Sequence, residues 1–164
     1  MNLKGLLSQL PRDFRIVVSC FIIVLNVGFF TGFNFVRVST SLNADGIEKN
    51  YLGNESDETA EIMQFKKSEK DILTLIHNHI LSLALVFFVL SVLLYMTNVP
   101  DTLKTFLMFE PFASLLLTFG GIYVLWTGVL WFKYVIMISG TFMVFSLILI
   151  SILILKDCLF PAVK

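Results

Sequence analysis

Charge is scarce in this chain. Only 15% of its 164 residues are charged and 57% are hydrophobic, whereas an ordinary soluble domain carries about 25% charged residues. A soluble fold would have to hide several uninterrupted apolar runs of about 20 residues, the length that crosses a hydrocarbon core. The soluble classes are therefore excluded. Twelve basic residues balance twelve acidic ones, so nothing points to a nucleic-acid partner or a polybasic surface anchor. Cysteine is limited to Cys20 and Cys158, far apart and without motif spacing, which reads as two unpaired thiols and not a disulfide or a thiolate metal site. Phosphate-binding glycine loops, G-x-S-x-G, HExxH and C-x-x-C are all missing.

What is present is apolar length. The first run covers 16–35, behind a segment 1–15 holding Lys4, Arg12 and Arg15; it is too long for a signal-peptide core and has no small-residue cleavage site, so it is read as a span. The second covers 72–96, with its helix start placed at Ser68 because Ser68-Glu69-Lys70-Asp71 has the form of a capping box. The third either resumes near Leu103 with Pro111 as a kink or starts at Pro111, and ends between Trp126 and Trp131. The fourth covers 134–155. Backbone groups in lipid must be satisfied within each segment. The expectation is an all-α, four-helix transmembrane bundle: one membrane domain over 16–155, with a 35-residue extracytoplasmic loop, 37–71, between helices 1 and 2. Basic residues near the span ends divide evenly. The three on the leading flank of the first helix break the tie and place segment 1–15 and the tail 156–164 in the cytoplasm.

Within the loop, Asp45-Gly46 is read as a turn and 58–67 as a short interfacial helix. Gly28 and Gly32, Gly121 and Gly128, and Ser139 and Ser146 fall at helix-packing spacing; they serve the bundle, or in the case of Gly28/Gly32 a homodimer. Trp126, Trp131, Tyr123 and Tyr134 are read as interfacial aromatics, Lys133 as a snorkelling anchor, and Glu110 as a solvated group at a helix end.

The only histidines, His77 and His79, both lie in the second span. An ionisable residue inside a membrane is a functional candidate. Two positions apart, the rings project about 200° from each other and cannot chelate one ion. Asp71, Thr74, Asn78 and Ser82 follow one another at spacings of three and four, drawing a polar stripe that is expected to turn into the bundle. Asn34, Thr31, Trp126, Thr127, Met137 and Ser139 fall at similar depth and complete a polar layer near the outer surface. Three roles fit such a layer: interhelical packing, ligation of haem b or a transition metal by His77, His79 and Met137, and proton or quinone binding. Bis-histidine haem normally takes ligands from two helices, so haem would need a His/Met pair or a second subunit.

Gly46-Ile47-Glu48-Lys49-Asn50-Tyr51-Leu52-Gly53, Phe65-Lys66-Lys67-Ser68 and His77-Asn78-His79 together resemble a group of small bacterial four-helix membrane proteins with a His-x-His pair opening the second span. The resemblance covers most of the chain and implies an architecture, not an activity. It also implies that the loop and the histidines form one feature, with Tyr51 folding over the outer end of the bundle. The expectation is an inner-membrane accessory or subunit protein without catalytic activity; the alternative is a haem- or metal-binding redox subunit using His77 and His79.

Overall fold

In the computed structural model, which describes residues 3–55 and 62–160, six helices follow one another: α1 (Leu6–Gln9), α2 (Arg12–Thr40), α3 (Ala44–Leu52), α4 (Glu69–Tyr95), α5 (Asp101–Trp126) and α6 (Phe132–Leu159). No strand occurs among the described residues. The four long helices are each apolar and long enough to cross a membrane. At 1.5 Å per residue they run roughly 40 Å, more than a hydrocarbon core of about 30 Å, and so overhang it or tilt. The chain is a multi-pass membrane protein.

Helix ends follow local chemistry. Pro11 and Pro100, which have no N–H to lose, precede α2 and α5. Ser68 caps α4 by accepting the N–H of Asp71 at 3.2 Å. Asp71 does not reach back to the backbone as a full capping box would; its carboxylate takes the Ser68 hydroxyl at 2.7 Å. Helix α5 starts at Asp101 and runs through Pro111, which resolves the third span in favour of an internal proline.

Helices α5 and α6 pair most extensively, α4 lies on α5, and α2 lies on α6. In the most apolar stretch of α5, 44% of residues are buried inside the chain, against 17% for α2 and 22% for α4. The two outer helices therefore present most of their surface to the surroundings. Along the central pair the buried polar residues are Lys104, Ser114, Thr118, Ser139, Ser146 and Ser151, while the outward faces carry Leu116, Phe142, Phe145 and Ile152. In lipid an apolar face gains nothing by turning inward, so hydroxylated residues are free to share the helix contacts with the large apolar ones, among them Leu107, Leu115, Leu147 and Ile150. Gly121 shows the closeness of approach: a Cβ there would stand 3.1 Å from Ile136.

One end of the molecule gathers the N-terminal segment, the α4–α5 corner and the end of α6. Lys4 Nζ lies 2.9 Å from Asp101, Arg15 donates to the Cys158 carbonyl at 3.0 Å, and the Asn98 N–H donates to Asp157 at 2.9 Å. The opposite end carries the long loop. Its first part is helical, which corrects the turn read at Asp45-Gly46. Both residues lie in the first turn of α3, capped by Asn43, whose side chain accepts the Gly46 N–H at 2.6 Å. The interfacial helix expected over 58–67 is also corrected. Residues 56–61 lie outside the described set, and 62–67 form no helix. They return beside the end of α3, with Asn54 N–H donating to Gln64 O at 2.9 Å and Lys67 N–H to Tyr51 O at 3.2 Å. Local apolar spacing cannot show this pairing, because its hydrogen bonds join residues ten and sixteen positions apart.

Candidate functional site

Helix α3 is fastened across the loop end of the bundle. Lys133, in the first turn of α6, reaches Glu48 at 2.7 Å and Asp45 at 2.9 Å, so it is an ion-pair partner for the loop and not only a snorkelling anchor. The Lys133 contact holds the Asp45 carboxyl below its ordinary range. Tyr51 packs against the core, and burial pushes its phenol up to about 12. Trp126 Nε1 donates to the Lys67 carbonyl at 2.8 Å, and the Lys66 ammonium stands 4.6 Å above the Trp126 ring. The described parts of the loop, 41–55 and 62–68, thus lie as a cover over this end.

Beneath it, the polar layer does not assemble. Helix α4 buries Ile72, Phe87, Leu90 and Leu94. At 100° per residue these positions centre roughly 125° round the helix from Asp71, Asn78 and Ser82. The stripe therefore faces outward: Asp71, Thr74, Asn78 and Ser82 are all exposed, which corrects the expectation that it turns into the bundle; the histidines flank it, His77 exposed on one side and His79, also exposed, leaning onto α5 on the other. Ser82 satisfies its hydroxyl on its own helix, at the Asn78 carbonyl. Among the described residues, the side chains of Thr74, His77 and Asn78 have no hydrogen-bond partner. Asn34 lies exposed on α2, which packs on α6 and not chiefly on α4. Met137 is 36% exposed on α6. Ser139 is engaged with Thr118 at 2.7 Å in the α5/α6 contact.

His79 is the better-placed imidazole. Its Nδ1 sits 2.8 Å from the Leu75 carbonyl; a carbonyl only accepts, so Nδ1 carries the proton and the Nε2 of a neutral ring keeps a free lone pair. The ring stacks on Phe119 at 4.7 Å between centroids. A carbonyl holding the other ring nitrogen in this way is common behind metal-bound histidine, yet no group of three His, Cys, Asp or Glu able to hold an ion occurs among the described residues. Among the described residues His79 thus belongs to no three-residue donor group for an ion, and a haem there would need a second axial ligand beside it.

A family model for a transmembrane helical domain, Aq_1264_TM, matches residues 41–164. The chain belongs to this family. The match begins one residue after α2 ends, so the features shared with Aq_1264_TM fall on α3 to α6, the elements that contain the covered loop end and the α4 stripe. It agrees with the resemblance to small four-helix membrane proteins at the level of a transmembrane helical domain. No curated protein and no solved structure matches the chain.

Three polar contacts escaped the sequence reading. Glu110, expected to be a solvated end group, lies nine residues inside α5, where its two carboxyl oxygens accept hydrogen bonds from Ser114 and from Ser146 of α6. Lys104 is buried and donates to the Tyr95 and Thr97 carbonyls at 3.2 and 2.9 Å. Asn26 of α2 donates to Ser151 of α6 at 2.9 Å. The seven-residue spacing of Ser139 and Ser146 was the available signal for the α6 side. The i, i+4 spacing of Glu110 and Ser114 was the signal for α5.

Proposed function

We propose that the chain is a non-enzymatic subunit of a membrane assembly and that the outward stripe of α4 is the surface it offers to a partner helix. The observation that carries this reading is the pair of unpartnered side chains at Asn78 and His77. Asn78 lies roughly 14 Å along a helix of about 40 Å, several ångströms below the level at which a core of about 30 Å begins. An amide that deep and turned toward lipid is costly unless another helix pairs with it. The two histidines of the His-x-His pair flank this stripe, His77 on its open side and His79 toward α5, and the described parts of the loop, with Tyr51 at their base, close the neighbouring end. Asn34 and Met137 belong to other faces in this reading, and the open flank at Gly28 and Gly32, where added methyl groups would meet nothing within 4 Å, is a second surface for close helix contact.

The orientation proposed keeps both termini in the cytoplasm and the loop on the outer side of the inner membrane, supported by Lys4, Arg12 and Arg15 before the first span. Chain solubilised mildly from its own membrane is expected to migrate on a native gel as a species larger than one chain. Asn78→Leu removes about 1–2 kcal/mol of interhelical hydrogen bonding, a five- to thirtyfold weaker association, and releases the single chain without lowering its unfolding temperature. An unchanged complex in Asn78→Leu rejects the stripe as the contact. A stoichiometric metal or a haem absorption band in the purified complex, lost in His79→Ala, would instead favour the redox-subunit reading.

A further inference from the structure

We propose that Glu110 is a proton-binding site inside the bilayer, at the contact of α5 with α6. Nine residues from the start of α5 place it roughly 14 Å along the helix axis, and it is half-buried within the chain. Among the described residues no lysine, arginine or histidine forms an ion pair with it. On α5, the cations and acids nearest in sequence are Lys104, whose ammonium is engaged by two carbonyls at the end of α4, and Asp101, paired with Lys4. Of the elements packed against α5, the 80–95 stretch of α4 contributes only Tyr95 as a titratable group, and the 136–155 stretch of α6 contributes none. The α3 helix, with Asp45, Glu48, Lys49 and Tyr51, covers the far end of α5, roughly 24 Å away along its axis. A carboxylate at such a site has no counter-cation, and the ligand that removes its charge is a proton.

The two serines suit that exchange. A hydroxyl both donates and accepts. With Glu110 ionised, Ser114 and Ser146 donate to its two oxygens, the arrangement seen here. When a proton adds to Oε2, the new acid O–H donates to Ser146 Oγ, the sense of that hydrogen bond reverses, and the Ser146 O–H is free to turn to the carbonyl one turn back on its own helix. An ammonium or guanidinium partner would favour the charged form only. Pro111 adds a polar acceptor next door, because it has no N–H to offer the Leu107 carbonyl. The next hydroxyl pair along the same contact, Thr118 with Ser139, lies four residues beyond Ser114, roughly 6 Å along the axis, beyond direct hydrogen-bond reach. The described residues therefore form a site that holds a proton, not a wire that conducts one.

Infrared titration of the full chain in lipid nanodiscs tests this. The expected result is a protonated-carboxyl absorption that converts to carboxylate as pH is raised, disappears in Glu110→Gln and shifts in frequency in Ser146→Ala. Should Glu110→Gln not fold, labelling of wild-type protein by a hydrophobic carbodiimide, which attacks protonated carboxyls within the bilayer, is expected to map to Glu110 by mass spectrometry and to fade at high pH. Overturning results are the lack of a protonated-carboxyl band at every pH where the protein stays folded, a band indifferent to Glu110→Gln, labelling that maps elsewhere, or a carboxylate that responds to sodium and not to pH.

Discussion

Replacing Gly46 by alanine is expected to release α3 from the end of the bundle. The backbone at Gly46 is ordinary helix and tolerates any residue, so the penalty is steric. An added Cβ would stand 1.9 Å from the Thr40 carbonyl oxygen and 2.6 Å from its carbon. These are backbone atoms at the end of α2, just before the positive-φ corner at Ser41 and Leu42, and they cannot rotate aside as a side chain would. Relief requires α3 to move away from α2. That breaks the Asn43 cap on Gly46, worth about 1 kcal/mol, and disturbs the seating of Lys133 on Asp45 and Glu48. A loss of roughly 3 kcal/mol in local stability is the expected order for a clash of this kind, and it appears as amide exchange in α3 more than a hundredfold faster. Gly28→Ala is the contrasting change. Its new methyl group meets nothing within 4 Å, and alanine in a helix interior is worth up to about 1 kcal/mol over glycine, so the unfolding temperature holds or rises slightly. Equal exchange rates in Gly46→Ala and wild type would show that α2 and α3 do not approach as described.

Lys104→Met is expected to be the most damaging single change inside the membrane domain. Lys104 is 5% exposed, and its ammonium serves the carbonyls of Tyr95 and Thr97 where α4 ends. Those carbonyls belong to the last turn and the corner beyond it, where intrahelical donors run out and the negative end of the helix dipole lies. Methionine keeps the volume and removes both donors. Charge-assisted hydrogen bonds of this sort contribute about 1.5–3 kcal/mol each, and the carbonyls left behind have little water to turn to. A combined loss of about 3 kcal/mol or more follows, seen as a lower unfolding temperature in mild detergent, with Lys104→Arg recovering part of it. Unaltered stability in Lys104→Met would mean that the α4–α5 corner is held by Thr97, whose hydroxyl donates to the Leu94 carbonyl at 2.7 Å, without help from the lysine.

The four spans were legible because bilayer thickness imposes a length that no local detail can disguise, and Ser68 marked the α4 start because its cap is a local bond. The facing of α4 was not legible. A polar stripe in a soluble protein marks the outside and in a membrane bundle commonly marks the inside; which holds for Thr74, Asn78 and Ser82 depends on where α5 lands, and α5 lands on the side that carries His79, Phe87 and Ser91. Glu110 was misjudged for a related reason. Its distance from the helix end was unknown while Pro111 remained a possible helix start, and only a helix running from Asp101 through the proline carries the carboxylate inward to meet Ser146. The loop was half legible. Gly46 and Gly53 belong to the pattern that carries the family resemblance, and the structure supplies a reason for both: the first has no room for a Cβ, and the second combines φ +80 with backbone atoms of residues 64–66 within 3 Å of where one would be.

The α4 stripe, turned away from its own bundle and covered by another helix, is the central claim, and a nitroxide attached through Asn78→Cys, in a Cys20→Ser, Cys158→Ser background, tests it most directly. The protein is extracted with its surrounding membrane into polymer-bounded nanodiscs, and collision of the label with dissolved oxygen and with a water-soluble nickel chelate is compared with a label at Leu116, which is 61% exposed on α5. The account predicts low accessibility to both reagents at 78 and high oxygen accessibility at 116. Oxygen accessibility at 78 equal to that at 116, or strong collision with the nickel chelate, would contradict it.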